Sequence, residues 1–166
     1  MLRLQLSIRP GQPPVITDET VVASGFGEQA DAAVFLVGPT GLALGTDGTL
    51  YVTDSVANRI VAIANAVTRT TSAGTGRVVT QDGLLKRPLT LVMTPQSTLL
   101  ACNALNGQVV EIDPKSGKQL RAQWINTDQA QSPPGSGDLF GLALTPDGKG
   151  MYYVHDDVNA LVEATP

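Results

Sequence analysis

The stretch from Gly38 to Ile63 recurs, and that recurrence limits the chain to a small set of architectures. A shift of 49 positions carries Pro39 onto Pro88, Leu42 onto Leu91, Leu50 onto Leu99, Asp54 onto Asn103 and Ile63 onto Ile112 without a gap. A third copy starts at Gly141, where Gly141–Gly148 repeats Gly41–Gly48 almost letter for letter. Allowing a two-residue insertion at Lys149-Gly150, Tyr152-Tyr153-Val154-His155-Asp156 then falls on Leu50 to Asp54.

Each copy has the chemistry of short strands and tight turns. Gly41 to Leu44 is a small apolar run suited to a buried strand. Asp47-Gly48 combines a side chain that bonds its own backbone with a residue that tolerates positive φ. Leu50 to Thr53 is rich in strand formers, Asp54 to Asn58 is a polar turn, and Arg59 to Ile63 is a third strand. A repeat of about 40 to 50 residues with four strands per unit is the signature of a propeller blade. The expected fold class is therefore all-β, a partial β-propeller of four-stranded antiparallel blades with about three blades present.

The copies resemble NHL-repeat blades, whose core reads roughly P-x-G-hydrophobic-A, then D-G-x-L-Y-V-x-D, then N-R-I. The first copy carries Pro39, Gly41, Ala43, Asp47-Gly48, Leu50-Tyr51-Val52, Asp54 and Asn58-Arg59-Ile60. The second has Gln96-Ser97 in place of Asp-Gly and Gly107-Gln108 in place of Asn-Arg; the third has Asn159-Ala160-Leu161, one residue early in this alignment. The resemblance implies a six-bladed ring, for which 166 residues are too few. The chain thus reads as one incomplete domain, the C-terminal portion of a larger propeller. Residues 1–37 would supply two outer strands of a preceding blade and a lead-in, with a short helical turn within Glu28 to Phe35. Residues 38–83 and 84–137 would each form a blade, and 138–166 a blade lacking its outer strand. The resemblance also implies an extracellular or periplasmic location.

Composition excludes several function classes. Charged residues make up 16% and the net charge is −4, with no basic cluster, so a nucleic-acid surface is not expected. No apolar run is long enough to span a membrane as a helix. Leu2, Leu4, Leu6 and Ile8 alternate with polar residues at strand period rather than forming a secretory core. Cys102 is the single cysteine, aligned with Thr53 and His155, and reads as a tolerated small side chain.

Asp54, Asn103 and Asp156 occupy equivalent places in this alignment, and the resemblance to gluconolactonase-like hydrolases offers them as oxygen ligands for Ca²⁺. The preferred reading is structural: a residue repeated in every blade does the same job in each, and Asp or Asn there caps a turn. A metal site breaks a repeat. His155, the single histidine, reads as a strand residue in a varied slot. Arg59 is expected to brace a neighbouring blade through backbone carbonyls rather than bind an anion, and Tyr51, Tyr152 and Tyr153 are expected to pack. No catalytic set and no cofactor-binding motif is evident. Two functions remain: a non-catalytic scaffold that binds a protein or other ligand through loops on one face, or a metal-dependent lactonase with part of its site in missing blades.

Open blade flanks present apolar surface and unpaired backbone. The expectation is that this chain by itself self-associates. Sedimentation velocity across a concentration series should show oligomers, and a single monomeric species at high concentration would refute it.

Overall fold

The structure is a computed structural model and describes residues 1–32 and 35–165, with Phe35 described by its backbone. Fifteen strands are found among these residues: β1 Leu2–Ser7, β2 Val15–Val21, β3 Gln29–Asp31, β4 Phe35–Val37, β5 Pro39–Leu44, β6 Leu50–Asp54, β7 Arg59–Ile63, β8 Arg77–Gln81, β9 Pro88–Met93, β10 Leu99–Asn103, β11 Gln108–Ile112, β12 Gln119–Trp124, β13 Leu139–Leu144, β14 Met151–His155 and β15 Ala160–Ala164. They form two antiparallel four-stranded meanders, β5-β6-β7-β8 and β9-β10-β11-β12, and a three-stranded one, β13-β14-β15. Two separate hairpins, β1-β2 and β3-β4, precede them.

The β3-β4 hairpin corrects one expectation. The helical turn placed within Glu28 to Phe35 is not formed by the described residues: Gln29 pairs with Val37, Ala30 with Leu36 and Asp31 with Phe35. Residues 33 and 34 of that expected turn lie outside the described residues.

Turn chemistry explains the meanders. Asp47 accepts hydrogen bonds from the Thr49 backbone N–H at 3.0 Å and the Thr49 hydroxyl at 3.0 Å, and Gly48 takes φ +78°. Asp147 repeats this by accepting the Lys149 backbone N–H. In the second sheet, Asp113 accepts from the Lys115 N–H and the Ser116 hydroxyl, and Gly117 closes the turn with positive φ.

The sheets stack through their faces. Ala43, Tyr51, Ile60 and Ala62 of the first sheet bury against Leu91, Leu99, Val110 and Ile112 of the second. Cys102 and Val109 of the second bury against Leu139 and Tyr153 of the third. On the other side of the first sheet, Val52, Val61 and Ile63 bury with Ala23. Tyr51 and Tyr153 thus pack between sheets, as the sequence suggests, and the Tyr153 hydroxyl donates to the Ile125 carbonyl at 3.1 Å.

The three meanders share one register, and it revises the alignment of the third copy. In each, the first residue of the inner strand pairs with the last residue of the next strand: Pro39 with Asp54, Pro88 with Asn103, Leu139 with His155. The connection between these strands closes from Gly45 N–H to Thr49 C=O, from Thr94 N–H to Thr98 C=O, and from Thr145 N–H to Gly150 C=O. The third copy therefore carries one extra residue before β14, not two. His155, not Asp156, is the counterpart of Asp54 and Asn103, and Val154, not His155, is the counterpart of Cys102. With this shift Asn159 falls in register with Asn58, and both adopt φ +50°.

Gly41 marks how closely the inner strands approach. A Cβ there would lie 2.8 Å from each of the Leu89 carbonyl oxygen, the Leu91 nitrogen and the Thr53 hydroxyl. Gly41→Ala should lower the unfolding free energy by about 1–3 kcal/mol through overpacking. Urea denaturation checks this, with the midpoint falling and the slope unchanged.

Candidate functional site

One face of the stacked sheets gathers the turns β6–β7, β10–β11 and β14–β15 with the connections that enter β9 and β13. The backbone brings them together in the same way each time. Ser55 N–H donates to Gly38 C=O, Ala104 N–H to Arg87 C=O, and Asp156 N–H to Asp138 C=O. Each sheet therefore presents two corresponding positions here: Gly38 and Asp54, Arg87 and Asn103, Asp138 and His155.

In the first two sheets these positions brace the fold. Asp54 is 1% exposed, and its Oδ2 accepts from Arg59 Nε and lies 2.8 Å from Arg59 Nη2. Arg59 thus holds its own hairpin, in place of the expected contact with a neighbouring blade. That bracing falls to Asn58: its Nδ2 donates to Asp82 Oδ1 and to the Leu85 carbonyl, and its Oδ1 accepts the Arg87 N–H at 2.8 Å. Arg87 pairs with Asp31. Asn103 is fully buried; its Oδ1 accepts the Lys86 N–H, and its Nδ2 donates to the Leu84 carbonyl and Asn106 Oδ1.

The third sheet is different. Asp138 is fully buried and its Oδ2 accepts from Asn126 Nδ2 at 2.8 Å. His155 Nε2 lies 3.3 Å from the same Oδ2 without hydrogen-bond geometry. Asp128, at the start of the long connection into β13, completes the group. Ligand atoms of Asp128, Asp138 and His155 all lie within 4.8 Å of one another, and among the described residues this is the one such group of three or more His, Cys, Asp or Glu side chains. Asp54 and Asp156 are not in it; Asp156 is exposed in the β14–β15 turn. Burial raises the pKa of the Asp138 carboxyl, and the neighbouring Asp157 carboxylate raises it further, against the opposing pull of His155. Gln131 in the long connection donates to the Asp157 carboxylate and so ties the connection to the β14–β15 turn.

Cys102 is buried between the second and third sheets, and burial pushes its thiol up to about 11. A thiol held protonated in this way is a poor nucleophile at neutral pH.

The bonds of Asn103 make a sharp prediction. Asn103→Ala leaves buried groups unpaired and should cost about 1–3 kcal/mol. Asn103→Asp keeps the acceptor but loses both donations, and should also destabilise, with or without Ca²⁺. A thermal melt in which Ca²⁺ restores Asn103→Asp to the parent midpoint would instead make the residue an oxygen ligand.

Comparison with known proteins agrees with this architecture. The family model of the NHL repeat matches residues 36–63. None of the curated proteins is significantly similar in sequence. Among solved structures, the chain is similar to a streptogramin B lyase at 16% identity and TM-score 0.53, covering 78% of this chain and 41% of that one. It is similar to regucalcin, a calcium-binding protein from Agrobacterium tumefaciens, at 18% identity and TM-score 0.56, covering 80% and 47%. It is also similar to a gluconolactonase from Xanthomonas campestris at 18% identity and TM-score 0.50, covering 74% and 36%. The chain spans less than half the length of each. The repeat, the meander topology and these neighbours give the chain the fold of a partial β-propeller, with an NHL repeat at residues 36–63.

Proposed function

We propose that the chain is a non-catalytic propeller scaffold that binds a protein or other ligand through the loops on the face described above. The observation that carries this reading is the commitment of Asp54 and Asn103 to bonds within the fold. A catalytic ring built on the repeat would need those side chains turned to a substrate. What varies on this face is the connection from Thr127 to Gly137 and the β14–β15 turn. Gln129, Ala130, Ser132 and Pro133 of that connection are exposed, which suits recognition by a loop on a rigid support.

The alternative, a metal-dependent lactonase, differs in what it does to a lactone. The protein is tested on δ-gluconolactone and a lactone panel, with and without chelator, and against a displayed peptide library. A second protein, with Gln129–Ser136 replaced by a short Gly-Ser linker, is carried in parallel. The scaffold reading expects no turnover and enriched peptides that bind the parent but not the loop variant. Chelator-sensitive turnover, or peptides that bind both proteins equally, would overturn it.

A further inference from the structure

We propose that Asp128, Asp138 and His155 form a binding site for a first-row divalent transition-metal ion of the Zn²⁺ type. The site is independent of whether the same face also binds a partner.

Three observations converge on it. The first is geometric: the three side chains come from different places in the chain, and their ligand atoms lie within 4.8 Å of one another. The His155 Nε2 to Asp138 Oδ2 distance of 3.3 Å equals the separation of roughly 3.3 Å between two ligand atoms that each sit about 2.0–2.1 Å from a tetrahedral ion.

The second is unsatisfied polarity. Among the described residues, four buried side-chain polar atoms lack a hydrogen-bond partner, and they include Asp138 Oδ1 and His155 Nε2. Asp138 is 0% exposed, and the Asp157 carboxyl beside it offers no donor while both are ionised. A buried carboxylate with one unpaired oxygen, set beside an imidazole whose Nε2 is also unpaired, is costly, and a cation bound in this group would satisfy both. Gln131 Oε1, another of the four, belongs to the connection that covers this region.

The third is charge. Asp157 and Asp128 add to the negative field around Asp138. No Lys or Arg pairs with any of the three carboxylates among the described residues. A divalent ion neutralises that field at its centre.

The donor set selects the ion. One imidazole nitrogen with two carboxylates suits zinc-type ions, whereas Ca²⁺ takes six to eight oxygens. Three protein ligands leave a coordination position open. Asn126 is placed to orient the site from outside: it donates to Asp138 Oδ2, and its own Oδ1 accepts the Asp128 backbone N–H at 2.8 Å.

The test is titration calorimetry of the metal-free protein with Zn²⁺, with Ca²⁺ in a parallel cell. The expected result is one equivalent of Zn²⁺ bound and weaker or no Ca²⁺ binding. His155→Gln and Asp128→Asn, both outside the buried core, should each weaken Zn²⁺ by about tenfold or more, and Asn126→Ala by about 10- to 100-fold. Because His155 is the single histidine, the long-range ¹H–¹⁵N imidazole spectrum reads this site directly in the parent protein, whatever the variants do to folding. Its Nε2 resonance should move on adding Zn²⁺ and return with chelator. Absent Zn²⁺ binding, binding undiminished in folded His155→Gln, tighter Ca²⁺ than Zn²⁺, or an unmoved imidazole spectrum would each overturn the proposal.

Discussion

The fold depends on how one sheet holds the backbone of the next. At the seam between the first and second sheets the Leu89 carbonyl, in the inner strand β9, accepts hydroxyls from Thr40 at 2.6 Å and Thr53 at 3.1 Å. Ser55 donates to the adjacent Pro88 carbonyl. Thr53 in turn accepts the Gly41 N–H at 2.7 Å, a backbone group near the bulge in β5. One buried hydroxyl thus satisfies the inner strand of its own sheet and clamps that of the next. The clamp needs strands close enough to touch, which is why no side chain is accommodated at Gly41. A meander cannot bond its inner edge to the next meander by a ladder when the two are splayed about a centre. Side-chain hydroxyls reach across where the ladder stops.

The second seam solves the same problem with different chemistry. Positions Thr40, Thr53 and Ser55 become Leu89, Cys102 and Ala104, all buried. Cys102 packs with Val109, Leu139 and Tyr153, and Leu89 and Ala104 pack with Phe140 of β13 and with Val37 of β4. Apolar burial is less directional than a hydroxyl clamp, so this seam tolerates a longer entry into the next sheet. The chain uses that freedom: six residues separate β8 from β9, whereas fourteen separate β12 from β13. The excess is the polar connection that reaches over the third sheet.

Much of this was legible in the letters. Strand periodicity, Asp-Gly turns and a gapless shift of 49 are local signals, and they carried the meanders, the turns and the inter-sheet tyrosines. What was lost hinged on a single residue. The Asp147-Gly148-Lys149-Gly150 turn absorbs one extra residue, and the similar residues around Tyr152 and Tyr153 align plausibly either way. Misplacing the insertion put Asp156 opposite Asp54, because aspartate looks the more faithful match. Only the pairing of Leu139 with His155 shows which residue ends β14. The β3-β4 hairpin was illegible for another reason: three-residue strands are too short to display a period. The brace supplied by Asn58 was hidden because a turn asparagine in αL needs no partner to explain it, yet this one bonds three groups of the following connection.

Read with Asp156 in the repeat, the three turn positions are chemically alike, and likeness across blades argues for structure. Read with His155, the third sheet departs at both corresponding positions together: Asp138 stands where the others have Gly38 and Arg87, and His155 where they have Asp54 and Asn103. In the first sheet the buried acid is answered by Arg59; in the second the buried amide is answered by backbone and by Asn106. In the third, Ala160 occupies the place of Arg59 and offers Asp138 and His155 nothing. A buried acid that the other sheets lack at that position, set beside an imidazole that they also lack, is a departure that folding alone does not require. The long connection then adds a further carboxylate, Asp128, from outside the repeat. Repetition builds the support, and the one place where three separate departures coincide is where a ligand-specific role is to be sought.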